Sequence, residues 1–171
     1  MRHILSNLAL LAIGCASTPA QTAPVRDSAE AALAAVAAVH GASGPFAVAG
    51  FRMGQRALRE LSVARGHFLL EVEHRSAPRV SESCIADGWQ VATGTSVGRM
   101  NLRRVDAAAG ATTTRVRDRA SGRALVFELT LAFRARFAHV DHHHAEALGR
   151  EVLALRDEEI FTLRADPDSW L

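Results

Sequence analysis

Two side chains with chemical potential lie three residues apart in the middle of the chain. Cys84 and Asp87 fall in "SCIADGWQVAT", a stretch that predicts a helix ended by Gly94, and an i, i+3 spacing places both on one helix face. A neighbouring carboxylate disfavours the thiolate, whereas a divalent metal deprotonates the thiol and accepts the carboxylate as a second ligand. Cys84 is therefore a buried apolar residue, a nucleophile or a metal ligand, and the spacing leaves all three open.

A histidine-rich segment, "HVDHHHAE", is a separate and weaker candidate for a metal site. On a helix, His139 and His143 would share one face at i, i+4; in a loop, the run could surround an ion without regular spacing. Either arrangement suits Zn²⁺, Ni²⁺ or Cu²⁺. The alternative is an exposed polar turn with no dedicated metal. The candidate ligands are His139, His142, His143 and His144.

Arginines are dense enough in the second half of the chain to indicate an anion site. Thr93, Thr95 and Ser96 lie between glycines and could add hydroxyl and backbone donors. A solvated sheet face is the favoured explanation of the same arginines. No phosphate loop, dinucleotide fingerprint, nucleophile elbow or paired-cysteine zinc motif is present. The arginines concerned are Arg99, Arg103, Arg104, Arg115, Arg117 and Arg119.

The composition indicates one folded domain without a nucleic-acid partner. Of the 171 residues, 49% are hydrophobic, which is enough for one core. The chain is too short for two ordinary domains. The formal net charge is only +2. Such a chain lacks the dense basic surface that a phosphate-backbone binder needs, so we expect no binding to nucleic acid.

The start of the chain has the layout of an export signal. A short basic segment precedes an apolar stretch too short to span a bilayer, and small residues follow. "LAIGC", ending at Cys15, resembles a bacterial lipobox, while cleavage after Ala20 is the alternative. We expect a signal peptide at 1–20, a tether at 21–27 and an exported protein that is periplasmic or lipid-anchored, with membrane contact only through such an anchor. Either cut leaves Cys84 without a disulfide partner in the chain.

The hydrophobic patterning predicts an α+β fold, with helices packed on one face of a small antiparallel sheet. Helices are expected at about 28–41, 46–63, 80–94 and, apart from the histidines, 134–163. Glycines in "AVAGFRMG" are expected to allow close packing of the second helix.

Strands are predicted where apolar and polar residues alternate. "HFLLEVEH" directs Phe68, Leu70 and Val72 to one side and two glutamates, Glu71 and Glu73, to the other. "TTTRVRD" and "RALVFELTL" form a hairpin across "RASG". The second strand of this hairpin is expected to point four side chains to the same face, namely Leu125, Phe127, Leu129 and Leu131.

With these elements placed, "HGASGPFAVAGFRMGQRAL" and "SCIADGWQVATGTSVGRMNL" together resemble the core domain of the FmdE family, which takes its name from a component of formylmethanofuran dehydrogenase. Its members typically have His-Gly-His-x-Cys-Pro-Gly, then Gly-Tyr-Arg-x-Gly opening a helix. A later Cys-x-x-Asp helix ends near Gly-Cys-Thr-x-Gly-Lys-x-Asn. The resemblance covers about residues 28–165, leaving 166–171 as a tail, and it implies the family fold.

Three positions depart from the family pattern. Ala42 stands for the second histidine, Gly44 for the first cysteine and Thr95 for the cysteine after Gly94. We also expect the cysteine-rich zinc-binding tail of many relatives to be missing. The matching positions are His40, Gly41, Gly50, Phe51, Arg52, Gly54, Cys84, Asp87, Gly94, Gly98 and Asn101, with Arg99 in place of the usual Lys.

The resemblance brings His40 towards Cys84 and Asp87, which makes a Cys/His/Asp set acceptable to a divalent metal such as Zn²⁺ with water in the fourth position. The leading hypothesis is therefore a binding or accessory module that holds a metal or small ligand at these three residues. Family members also imply a homodimer.

Two other hypotheses remain. In an enzyme, Cys84 would be the nucleophile or a metal ligand, and His40 would be the base. An anionic substrate would be held by Arg52 or Arg99, with Asn101 as a further ligand-binding residue. In a structural protein, the pocket would have degenerated, as the lost ligand positions allow.

Overall fold

The computed structural model describes residues 25–167, and these form an α+β domain. The helices are α1 (Val25–His40), α2 (Pro45–Leu61), α3 (Val80–Ser83), α4 (Ile85–Thr93), α5 (Leu131–Arg136), α6 (Ala145–Ala154) and α7 (Asp157–Ile160). The strands are β1 (Leu70–Ser76), β2 (Leu102–Asp106), β3 (Thr113–Asp118), β4 (Ala124–Leu129) and β5 (Phe161–Ala165).

The predicted α+β class is confirmed, but the sheet is mixed and not purely antiparallel. Its strand order is β2-β1-β3-β4-β5, and β1 pairs with β2 in parallel while the other neighbours are antiparallel. A parallel pair needs a long crossover connection. The chain provides one, because α3 and α4 lie between β1 and β2.

One face of the sheet carries the core and the other is charged. On β1, Leu70 and Val72 are buried as predicted. In the core, the Trp89 ring of α4 meets the Phe127 ring of β4 at 5.2 Å between centroids. On the opposite face the prediction for Glu73 was incomplete, since this carboxylate is buried under the guanidinium groups of neighbouring arginines.

Helices α2 and α4 pack at glycines, as expected from "AVAGFRMG". A Cβ atom on Gly50 would lie 2.1 Å from the Ile85 carbonyl oxygen, and one on Gly88 would lie 1.9 Å from that of Ala47. Further along, a Cβ on Gly54 would meet the α4 surface at 2.6 Å. These contacts join the N-terminal half of α2 to the N-terminal half of α4, so the two helices run side by side in the same direction.

The predicted boundaries need correction at the start and centre of the chain. Helix α1 begins at Val25, so the end of the predicted tether at 21–27 is helical. The single helix predicted at 80–94 is two helices, because Cys84 lies in a turn that ends α3 and precedes α4. The predicted signal and lipobox lie outside the described residues.

No single helix within 25–167 is long and apolar enough to cross a membrane. Ser28–His40 and Pro45–Leu61 meet that test only as a pair, and they join at a bend of 113°.

The last third of the chain was predicted to be more helical than it is. Phe161–Ala165 is an edge strand on β4, although the helix was predicted to continue to about Leu163. Leu131 does not continue the inward face of β4, because the Thr130 hydroxyl accepts a hydrogen bond from the Phe133 amide and starts α5 there. Leu131 is consequently 85% exposed. Phe68 also points outward, since β1 begins only at Leu70.

Candidate functional site

His40 and Asp87 form a polar pair where two helices meet. His40 is the last residue of α1, and Asp87 lies in the first turn of α4. The His40 Nδ1 atom is 2.8 Å from Asp87 Oδ2. A carboxylate can only accept, so Nδ1 carries the proton and, in the neutral ring, Nε2 holds a free lone pair. Within residues 25–167, that Nε2 atom has no hydrogen-bond partner.

Cys84 lies at the junction of α3 and α4 and is only 7% exposed. Its Sγ is 3.7 Å from the Ser81 carbonyl oxygen, to which the thiol donates. Burial, with a smaller contribution from the Asp87 carboxylate, raises the pKa of the Cys84 thiol to about 12. The residue is therefore a neutral thiol at physiological pH.

His40 and Cys84 line one cleft, with a volume of about 360 Å³. The cleft lies at the N-terminal ends of α2 and α4. Ser81 adds a third polar side chain to its wall. The remaining wall is mainly apolar, formed by Pro45, Phe46, Val80, Phe137, Val140 and Ala145.

Two of the three departures from the family pattern also line this cleft. Ala42 and Gly44 stand where the family motif has His and Cys, and both border the same space as His40 and Cys84. The small side chains therefore leave room where larger ligating side chains would project. A Cβ on Gly44 would have its nearest neighbour at 4.0 Å, so the space is open.

The third departure lies elsewhere. Thr95 follows the C-terminal end of α4, eleven residues after Cys84, which corresponds to roughly 16 Å at a helical rise of 1.5 Å per residue. Its hydroxyl is buried and lies 2.8 Å from the Thr93 hydroxyl. Thr95 does not border the cleft, so it bears on packing at this turn and not on the His40 pocket.

The predicted metal set is only partly assembled. No group of three or more His, Cys, Asp and Glu side chains is arranged to hold a metal among the residues that the structure describes. Asp87 faces His40 and is not among the residues that line the cleft. As placed, these side chains do not supply three ligands, and the zinc site remains a prediction.

Arg52 is placed to hold the C-terminal half together. Its guanidinium donates to the Val152 and Leu153 carbonyls at 3.1 and 2.8 Å and to the Asp157 carboxylate at 2.7 Å. It caps the end of α6 and does not border the cleft. Arg99 and Asn101, the other residues proposed to bind an anion, also form hydrogen bonds within the fold.

Arg99 and Asn101 join the turn after α4 to the start of β1. Arg99 donates to the Gly94 and Gly66 carbonyls at 2.5 and 3.0 Å. Asn101 accepts from the Ser96 amide and donates to the Leu70 carbonyl, each at 3.0 Å. Both are at the far end of α4 from Cys84, so these residues and the cleft do not form a single site.

The histidine cluster is a surface turn. It contains a 3-10 turn, His142–His144, and His139 precedes that turn outside any helix, so a shared helical face with His143 is wrong. His139, His143 and His144 are exposed, and Asp141 lies 3.4 Å from His144. Metal binding here stays a prediction for a loop, without support from helical spacing.

One polar residue of the core was missed. His74 is completely buried on β1, on the face shared by Leu70 and Val72. Its Nε2 is 2.9 Å from the Glu82 carbonyl of α3, to which it donates, while Nδ1 accepts from the Thr114 hydroxyl at 2.8 Å. The period-two alternation of "LEVEH" already places position 74 on the inner face, and that was the available signal.

His74 is expected to make stability fall in mild acid. Burial lowers the pKa of His74 to about 4, so the unfolded chain takes up a proton near pH 6.5 that the folded chain refuses. The contribution of His74 to the free energy of unfolding is fully present above about pH 6.5 and is lost as the pH falls towards 4. Between pH 7.5 and pH 5 we expect a loss of about 2 kcal/mol from this residue. Urea unfolding at both pH values measures it, and His74→Gln should lack this component; an equal acid loss in both chains contradicts the assignment.

Comparison with known proteins assigns the chain to a family. The model of the FmdE family, described as "FmdE, Molybdenum formylmethanofuran dehydrogenase operon", matches residues 39–162, well over half of the chain. No curated protein matches. The matched range begins one residue before His40 and includes the entire cleft. The chain is a member of the FmdE family.

Proposed function

We propose that this protein is an exported binding module of the FmdE family that holds a small, mainly apolar ligand in the cleft beside His40 and Cys84. The observation that carries the proposal is the convergence of His40, Cys84, Ala42 and Gly44 on one cleft. Cavities of a few hundred cubic ångströms with apolar walls and few polar groups are typical of small-molecule sites.

The polar groups of the cleft indicate which ligands it favours. Because Asp87 fixes the His40 proton on Nδ1, Nε2 offers a hydrogen-bond acceptor in a defined orientation. The Cys84 thiol is neutral and adds no charge. An uncharged ligand with an apolar body and one O–H or N–H donor therefore fits better than an anion, for which no cation borders the cleft within 25–167 apart from a protonated His40.

A divalent metal is the second candidate, and the His40–Asp87 contact favours it. Histidines that ligate metals commonly donate their other ring nitrogen to a carboxylate, which orients the ring. In that arrangement His40 would be a ligand and Asp87 would orient it from behind. Cys84 would join only after losing its proton, at the cost that its raised pKa represents.

The enzyme and structural hypotheses have less support. A nucleophilic cysteine needs an accessible thiolate, and Cys84 is buried with a raised pKa. A degenerate pocket with no ligand remains an outcome of the tests below. Export and a homodimer remain predictions from the leader sequence and the family resemblance.

Phenol and toluene are suitable probes, because they have the same size and only phenol has a donor. We expect phenol to bind the full chain with a roughly millimolar dissociation constant, as befits seven heavy atoms. Toluene should bind about 3–10-fold more weakly, the difference that one neutral hydrogen bond makes. NMR titration measures both constants, and His40→Leu should abolish the preference for phenol.

A substitution that fills the cleft can be compared with the same substitution elsewhere. Gly44→Leu should reduce the binding of both probes, whereas Gly98→Leu, which introduces the same side chain into open space far from the cleft, should leave it unchanged. Equal binding by the two variants would refute the cleft as the site.

Elemental analysis of protein purified without a His tag decides between ligand and metal. Stoichiometric metal that is lost in Cys84→Ser but kept in His142→Ala/His143→Ala supports the core metal site. The reverse pattern assigns the metal to the histidine turn. If neither metal nor probe binds, the domain is a structural member of its family.

A further inference from the structure

Four apolar side chains protrude together at the end of the molecule opposite the cleft. They are Phe68 and Leu69, from the segment before β1, and Val97 and Met100, from the turn after α4, and we call them the loop patch. Their exposed fractions are 68%, 37%, 73% and 92%. Because α2 and α4 run in the same direction with the cleft at their N-terminal ends, the loop patch lies roughly 20 Å from the cleft.

Hydrogen bonds hold the two loops side by side. The Gly66 amide donates to the Thr93 carbonyl at 2.8 Å, and the Arg99 guanidinium reaches the Gly66 carbonyl at 3.0 Å. The same guanidinium lies 5.2 Å from the centre of the Phe68 ring. The patch is thus a fixed surface of the fold.

Two positive charges flank this surface, and neither is in an ion pair with a carboxylate of residues 25–167. The Arg65 Nε atom donates to the Val91 carbonyl at 3.0 Å, and Arg99 donates only to backbone carbonyls. Of the nearby carboxylates, Glu71 is paired with Arg119 at 3.4 Å, and Asp118 is buried and lies 3.0 Å from His67. Arg65 and Arg99 therefore give the surface beside the loop patch its positive charge.

The backbone at Met100 shows that stability does not account for this residue. Its φ of 57° lies in the left-handed region, which glycine and asparagine adopt at lower cost than methionine. Methionine strains its turn here and gains no burial in return, because its side chain is 92% exposed. That side chain would leave water only by entering an apolar phase outside the fold.

We propose that the loop patch docks on an anionic lipid surface, with Phe68, Leu69, Val97 and Met100 entering the headgroup boundary and Arg65 and Arg99 contacting lipid phosphates. A few apolar side chains projecting from loop tips beside basic residues suit a bilayer interface. The cleft would then face away from the lipid.

Vesicle sedimentation of the full chain tests this directly. The chain should bind phosphatidylcholine vesicles containing about one third phosphatidylglycerol, and bind pure phosphatidylcholine more weakly. Met100→Asn/Val97→Ser should reduce binding to the anionic vesicles at least about tenfold. Since Met100→Asn relieves backbone strain, this variant should unfold at no lower urea concentration than the parent chain. Arg65→Gln should weaken binding to the anionic vesicles only.

Controls separate the patch from the rest of the chain. Leu131→Ser removes an equally exposed leucine from α5 and should bind as the parent does. Because the leader is present in every chain, hydrogen exchange provides the local readout: vesicles should protect amides in 66–69 and 97–100. Equal binding by the parent and the Met100→Asn/Val97→Ser chain, or no protection in these loops, overturns the proposal. A dimer that the double substitution abolishes would assign the patch to a second copy and also overturn it.

Discussion

Gly88→Ala is expected to destabilise the domain by at least about 3 kcal/mol. The added methyl group would lie 1.9 Å from the Ala47 carbonyl oxygen and 2.5 Å from the Phe51 amide nitrogen. Both are backbone atoms of α2, which cannot move aside as a flexible side chain would. The helices must separate, and the cleft at their N-terminal ends opens with them. Urea unfolding monitored by Trp89 fluorescence measures the loss.

Gly98→Ala is the matched control for this substitution. Position 98 is exposed, and a Cβ there meets nothing within 4 Å, so the stability should change by no more than about 0.5 kcal/mol. Equal effects at the two positions would show that loss of glycine flexibility, and not the α2–α4 contact, controls stability.

Alkylation of Cys84 is expected to be at least about a hundredfold slower in the folded chain than in urea. With a pKa raised to about 12, the thiolate fraction at pH 8 is about a thousandfold lower than that of an unperturbed cysteine. The higher intrinsic reactivity of a more basic thiolate offsets part of this, and burial adds to the protection. Iodoacetamide labelling followed by mass spectrometry, in a Cys15→Ser chain, gives both rates.

Asp87→Asn helps to interpret the Cys84 rate. Removing the carboxylate lowers the thiol pKa and should accelerate alkylation moderately, while burial, the larger cause, remains. Rapid labelling of the folded chain, with a bell-shaped dependence on pH, would support the nucleophilic role of Cys84 and contradict the neutral thiol.

Local patterns predicted the elements that local interactions determine. The β3–β4 hairpin follows from alternation on both sides of a turn, and the shared face predicted for Phe127 and Leu129 is confirmed, since both are buried. The glycines of α2 were also interpreted correctly, since Gly50 and Gly54 are where α4 approaches.

Tertiary pairing decided the elements that were missed. β5 contains good helix formers and was predicted as helix, yet Phe161 and Leu163 pair with Leu129 and Phe127 on the edge of β4. β2 has exposed arginines in place of a clear apolar alternation. Neither strand has a local pattern strong enough to outweigh competing propensities.

The resemblance predicted that three side chains lie near one another, but not which of them would face the cleft. The sequence resemblance brought His40, Cys84 and Asp87 together, and the structure places His40 and Cys84 on one cleft with Asp87 behind the histidine. The direction in which Asp87 points depends on the crossing of α1 and α4, which spacing along one helix does not reveal. Arg52, Arg99 and Asn101 bind backbone carbonyls and amides that no sequence pattern specifies.

The central claim is that Asp87 orients His40 so that Nε2 accepts a hydrogen bond from a ligand in the cleft. NMR of the histidine ring nitrogens in the ¹⁵N-labelled full chain tests it most directly, with His40→Gln assigning the signals. At pH 8 we predict a protonated Nδ1 and an unprotonated Nε2 for His40, and a change of the Nε2 resonance when phenol is added. In Asp87→Asn the tautomer preference should weaken. A proton on Nε2, or a His40 ring unaffected by saturating phenol, would contradict the account.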